Sequence, residues 1–253
     1  MRYGSEELVV AWHRSSARRK PRVPWGTRVY AIGDVHGRAD LLIAMFGLID
    51  ADLAQQPSLE PVEIFLGDYI DRGPHSRRVL DLLVARGHKH QMVCLKGNHE
   101  TYISQVASDP SIISEWQQMG GTTTLLSYGV KPPAHLNAED TRDVARAFDR
   151  ALPAAHRRFV DGLELSYTCG DFFFAHAGVR PGVALDQQSA RDLLWIRDDF
   201  LLHEEDFGKI IVHGHTPATD PEVRTNRINI DTGAYATGRL TCLVLEADQM
   251  RFL

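Results

Sequence analysis

Five short segments of this chain set glycine beside carboxylate, amide or imidazole: G-D-V-H-G (33–37), G-D-Y-I-D-R-G (67–73), G-N-H-E (97–100), H-A-G (176–178) and G-H-T (214–216). Carboxylate and imidazole together suit manganese, iron and zinc, and a shared Asp can bridge two such ions about 3.5–4 Å apart. Each segment has a plainer explanation when taken alone. Asp34-x-His36 reads as a capped turn, Gly97-Asn98-His99 as a turn with Asn98 left-handed, and His176 as a hydrogen-bonded core residue. Those explanations fail jointly, because independent turns would mix Ser, Thr, Lys and Pro freely. A shared metal cluster explains why every one of these turns carries Asp, Asn or His.

The segments follow apolar runs that read as β-strands: R-V-Y-A-I (28–32), V-E-I-F-L (62–66), Q-M-V-C-L (91–95), D-F-F-F-A (171–175) and K-I-I-V-H (209–213). Helical spacing over 40–53 and around 76–84 separates the first three strands, which predicts an α/β fold. Open α/β sheets place their chemistry at the carboxyl edge, where these segments lie. Glycine suits that position, since a tight turn straight after a buried strand demands unusual backbone angles. Residues 101–161 read as a helical insertion broken at G-G-T-T-T (120–124) and K-P-P (131–133). Two later runs, R-I-N-I-D (227–231) and L-T-C-L-V-L-E (240–246), return to strand and complete a mixed sheet system.

With 253 residues, 43% hydrophobic and 24% charged, the chain can bury one large core. The expected organisation is a single domain over 25–253 after a basic tail over 1–24 that includes R-S-S-A-R-R-K-P-R (14–22). A net charge of -5 gives no basic field for nucleic acid. No apolar run approaches the roughly 18 residues that span a bilayer. L-V-V-A-W (8–12) is short for a signal peptide and its basic cluster follows it, so a cytoplasmic protein without a membrane partner is expected. Cys94, Cys169 and Cys242 are far apart and odd in number, which suits reduced core thiols.

In order and spacing the five motifs resemble the signature of the phosphoprotein phosphatase family within the calcineurin-like metallophosphoesterases, closest to its short bacterial and phage members. The match runs from about 29 to 245. The resemblance implies an α/β fold of two mixed β-sheets packed as a sandwich and flanked by helices in four layers. It also implies two divalent metal ions, manganese first, with iron or zinc as alternatives. Asp34 and His36 then resemble ligands of the first ion, Asp68 the bridge, and Asn98, His176 and His215 ligands of the second. His99 resembles a general acid oriented by Asp71, while Arg72 and Arg197 resemble clamps on the phosphoryl oxygens. The implied reaction is in-line attack on phosphorus by water activated between the metals, with no phosphoenzyme.

Two departures bear on that transfer. The wider superfamily often ends its last motif Gly-His-x-His, whereas Pro217 stands here and cannot ligate. His213 lies two residues before His215 and faces the same side of an extended chain, so either imidazole could reach the cluster, and the resemblance favours His215. Lys96 precedes G-N-H-E where many relatives carry Arg, giving a point charge without a fork.

The implied substrates are phosphomonoesters, first phosphoserine and phosphothreonine in proteins, with small phosphoesters as the broader class. The alternative is a symmetrical dinucleoside tetraphosphate hydrolase. Those enzymes resemble G-N-H-D and G-D-L-V-A-R-G, so Glu100 and Asp71 favour the phosphatase. A metal-binding adaptor would have lost a ligand or His99, and none is lost. The insertion over 101–161 is the expected place for substrate selection, and the sequence leaves oligomeric state open.

Overall fold

The computed structural model describes residues 20–55, 60–133 and 135–253, so residues 1–19 of the expected tail lie outside the described residues. Strands in chain order are β1 (Thr27–Ile32), β2 (Glu60–Phe65), β3 (Met92–Cys94), β4 (Ser166–Cys169), β5 (Phe172–Ala175), β6 (Ile210–His213), β7 (Glu222–Val223), β8 (Arg227–Asn229), β9 (Cys242–Glu246) and β10 (Gln249–Phe252). Helices α1 (Ala39–Gln55) and α2 (Ser76–Gly87) alternate with the first strands. Five helices then form the insertion: α3 (Glu100–Gln105), α4 (Ile112–Gln118), α5 (Gly121–Ser127), α6 (Ala138–Ala151) and α7 (Ala154–Asp161). The short helices α8 (Ala190–Trp195), α9 (Asp198–Leu201) and α10 (Ala234–Thr237) occupy the last third.

Two mixed sheets result, ordered β10-β9-β1-β2-β3 and β4-β5-β6-β8-β7. In the first, β1 runs parallel to β2 and β2 to β3, with β9 and β10 antiparallel. In the second, β5, β6 and β8 are parallel and β4 and β7 form antiparallel edges. Side-chain alternation shows how the layers stack. Val29 and Ala31 point between the sheets with Ile64, Phe174 and Val212, while Tyr30 and Ile32 point outward to α1 and α2. Likewise Phe172 and Phe174 face the other sheet, and Phe173 and Ala175 face Leu193, Ile196 and Phe200 of the α8–α9 region. The order is therefore helix, sheet, sheet, helix, as expected.

Four details differ from the sequence expectation. The turn Cys169-Gly170-Asp171-Phe172 is a two-residue hairpin with Gly170 at φ +59°, so β4 precedes β5 as a paired strand. Strands β7 and β10 are edges too short or too polar to stand out. Within G-G-T-T-T only Gly120 breaks the helix, at φ +100°, and Gly121 to Thr124 begin α5. Residues 20–24, assigned to the tail, join the domain: Val23 is buried in the inter-sheet core and its N–H donates to the Ala247 carbonyl at 3.0 Å. All three cysteines are free, Cys169 and Cys242 being buried. Among the described residues, no helix is long and apolar enough to cross a membrane.

Candidate dinuclear metal centre

The carboxyl ends of β1, β2, β3, β5 and β6 converge and bring every predicted metal-ligating side chain into one buried group. Asp34, His36, Asp68, Asn98, His176 and His215 are each at most 6% exposed. The loops that carry them are stitched by their own backbone: His36 N–H donates to the Asp68 carbonyl at 2.8 Å, Gly73 N–H to the His36 carbonyl at 3.1 Å, and Gly214 N–H to the His176 carbonyl at 2.8 Å. Close approach explains the glycines. Gly67 sits at φ +108°, and a Cβ there would lie 2.5 Å from Gly97 N. Strain marks the same loops. Among the described residues, six non-glycine residues have positive φ, and His36, Asp68, Asp71, Arg72 and His215 are five of them.

Asp68 belongs to two sets of potential ligand atoms. One is His36, Asp68 and His99, the other Asp68, His176 and His215, and within each set the atoms lie within 4.8 Å of one another. Beside the second set the Asn98 Oδ1 atom lies 3.0 Å from His176 Nε2 and 2.9 Å from His215 Nδ1. Donors about 2.1 Å from one ion and at right angles to each other stand about 3.0 Å apart, which is this spacing. His176 Nδ1 donates to the Leu66 carbonyl at 3.0 Å and His36 Nδ1 to the Ile70 carbonyl at 2.8 Å, so each ring turns a free Nε2 towards Asp68.

Electrostatics agree with a cation-binding cluster. Burial pushes His36 down to about 3, and burial with the neighbouring His176 pushes His215 down to about 2, leaving both rings neutral and able to ligate. Burial, then the carboxylates of Asp231 and Asp68, push Asp34 well above the ordinary carboxylate range. Burial also raises Asp231, to about 6. Carboxylates crowded this way need positive charge beside them. Asp34 Oδ1 and His215 Nε2 are buried without any hydrogen-bond partner, as are His213 Nε2 and Thr216 Oγ1 next to them. Gly214 has no side chain because a Cβ would strike Asp34 Oδ1. The residues present fit metal ions.

His213 does not enter either set. Its Nδ1 donates to the Gly214 carbonyl at 3.1 Å and its ring packs edge-on against Phe200 at 4.9 Å between centroids. Lys96 is half-buried and its N–H donates to the Glu164 carbonyl at 2.7 Å.

His99 is placed differently from the other imidazoles. Its Nδ1 donates to Asp71 Oδ2 at 2.6 Å, and its Nε2 stands 3.8 Å from Asp68 Oδ2 and 3.4 Å from Arg72 Nη2. Burial lowers its proton affinity, but Asp68 and Asp71 more than offset this, so its pKa is raised. Arg72 lies over the Tyr235 ring at 4.7 Å, and Tyr235 is edge-on to His36 at 5.4 Å. Arg197 is exposed and close enough to His215 and His176 to lower the pKa of both.

Four residues of this site were not singled out from sequence. Asp231 ends the β8 run against Asp34, and Tyr235 follows it in α10. Trp116 Nε1 donates to Asp71 Oδ2 at 2.9 Å, and Thr124 Oγ1 to Asp71 Oδ1 at 2.6 Å. Both come from the insertion, which also meets the site where Arg72 N–H donates to the Gly120 carbonyl at 3.2 Å and Thr101 N–H to the Asn98 carbonyl at 3.2 Å. Glu100, read from sequence as a clue to substrate, is fully buried. It accepts from the N–H groups of Asp68, Tyr69 and Gly97, each at 2.9 Å, and so braces the bridging loop.

Trp116→Phe removes one donor from Asp71 while keeping the ring volume. The expected result is an about 10-fold or larger loss of kcat/KM on an alkyl phosphate and a smaller loss on p-nitrophenyl phosphate. Equal losses on both would show that Trp116 only packs.

A two-sheet α/β sandwich whose strand ends gather paired imidazole and carboxylate sets is the framework of a metal-dependent phosphoesterase. The family model described as calcineurin-like phosphoesterase matches residues 27–248, and the chain belongs to that family. It is 25% identical over 231 residues to the bis(5'-nucleosyl)-tetraphosphatase PrpE [asymmetrical] of Anoxybacillus flavithermus, covering 84% of this chain and 88% of that one. It is 28% identical over 161 residues to the zinc-dependent endopolyphosphatase of Saccharomyces cerevisiae, covering 60% of this chain and 47% of the yeast protein, so the match spans about half of that relative. A solved structure provisionally described as a diadenosine tetraphosphatase shares the fold, with a TM-score of 0.59, 17% identity and coverage of 93% of this chain and 98% of that one.

Proposed function

We propose that the chain hydrolyses a dinucleoside tetraphosphate with two divalent metal ions, manganese first and zinc as the alternative. Asp34, His36 and Asp68 hold one ion, and Asp68, Asn98, His176 and His215 hold the other. The observation that carries the reaction is how the imidazoles around Asp68 are held: backbone carbonyls orient His36 and His176 and His215 stands at Asn98 Oδ1, whereas His99, whose Nε2 also lies within reach of Asp68, is clamped by the Asp71 carboxylate and has its pKa raised. Bound ions lower the pKa of water towards about 7 and neutralise phosphoryl oxygens. Arg72, beside His99, and Arg197, near His215 and His176, orient those oxygens. As the oxygen of water bonds to phosphorus, the opposite P–O bond breaks, and His99 gives its proton to the departing oxygen. Asp71 holds the His99 ring and offsets its charge, and Trp116 with Thr124 fixes Asp71.

The substrate assignment is supported by the near-full-length likeness to a tetraphosphatase named as asymmetrical. The asymmetrical type was not among the sequence-based alternatives, which set a symmetrical tetraphosphatase, a broad-specificity small-phosphoester hydrolase and a metal-binding adaptor against a protein phosphatase. Glu100 does not weigh against it, because its carboxylate is buried among backbone donors. A second reading, phosphomonoester hydrolysis, is favoured by the His99–Asp71 pair, since an alkoxide needs a proton more than a departing nucleotide does. The test is kcat/KM for diadenosine tetraphosphate, a phosphoserine peptide, p-nitrophenyl phosphate and a phosphodiester under manganese, iron, zinc and magnesium. Diadenosine tetraphosphate is expected to lead and to yield ATP with AMP. ADP as sole product would mark symmetrical cleavage, a leading phosphopeptide would establish the second reading, and no hydrolysis at all would leave a metal-binding adaptor.

A further inference from the structure

A cavity of about 520 Å³ opens where α8 meets α9, walled by Arg180, Arg191, Trp195, Ile196, Arg197 and Asp199 among others. One of its walls adjoins the metal-ligating residues, since the Trp195 ring stands edge-on to His215 with centroids 6.3 Å apart. Trp195 is 39% exposed. An indole left uncovered at the mouth of a polar site provides a flat apolar surface for a ligand.

The three arginines of this cavity differ in their pairing. Arg180 is held by Asp192 at 2.7 and 3.0 Å and by Asp199 at 3.1 Å, which makes it part of a fixed wall. Arg191 and Arg197 have no ion-pair partner among the described residues. Free guanidinium groups beside an exposed indole match phosphate beside a planar base, through forked hydrogen bonds and ring stacking respectively. The volume falls within the range for small-molecule sites. Chains of bare phosphate or phosphorylated side chains would engage the arginines and leave the indole unused.

We propose that this cavity is a nucleoside subsite: Trp195 stacks the base of a nucleoside phosphate, and Arg191 with Arg197 binds the phosphates that join it to the cleaved bond. This rests on the nucleotide reading of the substrate. The subsite sets specificity while the chemistry stays at the ligand cluster.

The manganese-loaded wild type, Trp195→Leu, Trp195→Phe and Arg191→Ala are compared on diadenosine tetraphosphate and p-nitrophenyl phosphate, with AMP as inhibitor of the second reaction. In Trp195→Leu, which keeps apolar bulk without a ring, the ratio of kcat/KM for the dinucleotide to that for the aryl ester falls about 10-fold or more. Trp195→Phe keeps that ratio within about threefold of wild type, and Arg191→Ala lowers it about fivefold. AMP inhibits p-nitrophenyl phosphate hydrolysis by wild type and does so about 10-fold more weakly for Trp195→Leu. If wild type leaves the dinucleotide intact while AMP inhibition still depends on Trp195, the substrate reading falls and the subsite stands. If the ratio and the AMP inhibition are both unchanged in Trp195→Leu, the subsite is overturned whatever wild type hydrolyses. A fall confined to Arg191→Ala also overturns it, because that is a phosphate-chain site without a base.

Discussion

Replacing His99 by asparagine is expected to lower kcat on an alkyl phosphate by about 10²–10⁴-fold while costing p-nitrophenyl phosphate only about 10-fold. The contrast follows from placement. His99 Nδ1 is occupied by Asp71 at 2.6 Å, and its other nitrogen faces the reaction side beside Arg72. An alkoxide departs poorly without a proton, whereas a nitrophenolate departs well alone. Asparagine keeps a polar group of similar reach but cannot donate an acidic proton. Steady-state kinetics on the two esters, with metal content measured alongside, decides the matter. Equal losses on both substrates with the metals retained would remove His99 from the role of acid. Loss of metal would instead place it in the ligand set with His36 and Asp68, where its Nε2 already lies within reach.

Asp68→Asn is expected to deplete both ions and to reduce hydrolysis of every substrate by about 10³-fold or more. Asp68 is the residue common to both ligand sets, with Oδ1 3.5 Å from His176 and Oδ2 3.4 Å from His36. The backbone tolerates the change, since asparagine adopts the positive φ of 53° seen at this position, and its amide oxygen can still accept from His99 N–H. Structure and charge are thereby separated. Elemental analysis should find fewer than two ions per chain, and added manganese, expected to raise the melting temperature of the wild type, should no longer do so. A variant that keeps two ions per chain contradicts the bridging assignment.

Much of this architecture was legible because its signals are local. Each apolar run followed by glycine and a polar ligand type gave both a strand and the place where it ends, and the parallel strands then bring those ends together. The six proposed ligands, His99, Asp71 and Arg72 lie where five motifs predicted a cluster. Trp116 and Thr124 were not legible, because an indole and a hydroxyl in a helical stretch look like core residues until a partner 45 or 53 positions away is known. Asp231 was read as the end of a strand for the same reason: only the pairing of β8 beside β6 brings it against Asp34. Glu100 was read only as a motif difference that favoured a phosphatase, and its structural part was not legible: three backbone donors enclose it and make it a brace. The edge strands β4, β7 and β10 are set by pairing rather than by their own pattern.

The most direct test is a metal titration. Protein stripped by a chelator is supplied with manganese in steps, and hydrolysis of diadenosine tetraphosphate is followed together with bound metal. Activity should be absent without metal, rise as the ions bind, and reach its plateau at two ions per chain with ATP and AMP as products. Full activity at one ion per chain, or hydrolysis that persists in the stripped protein, would contradict a dinuclear centre.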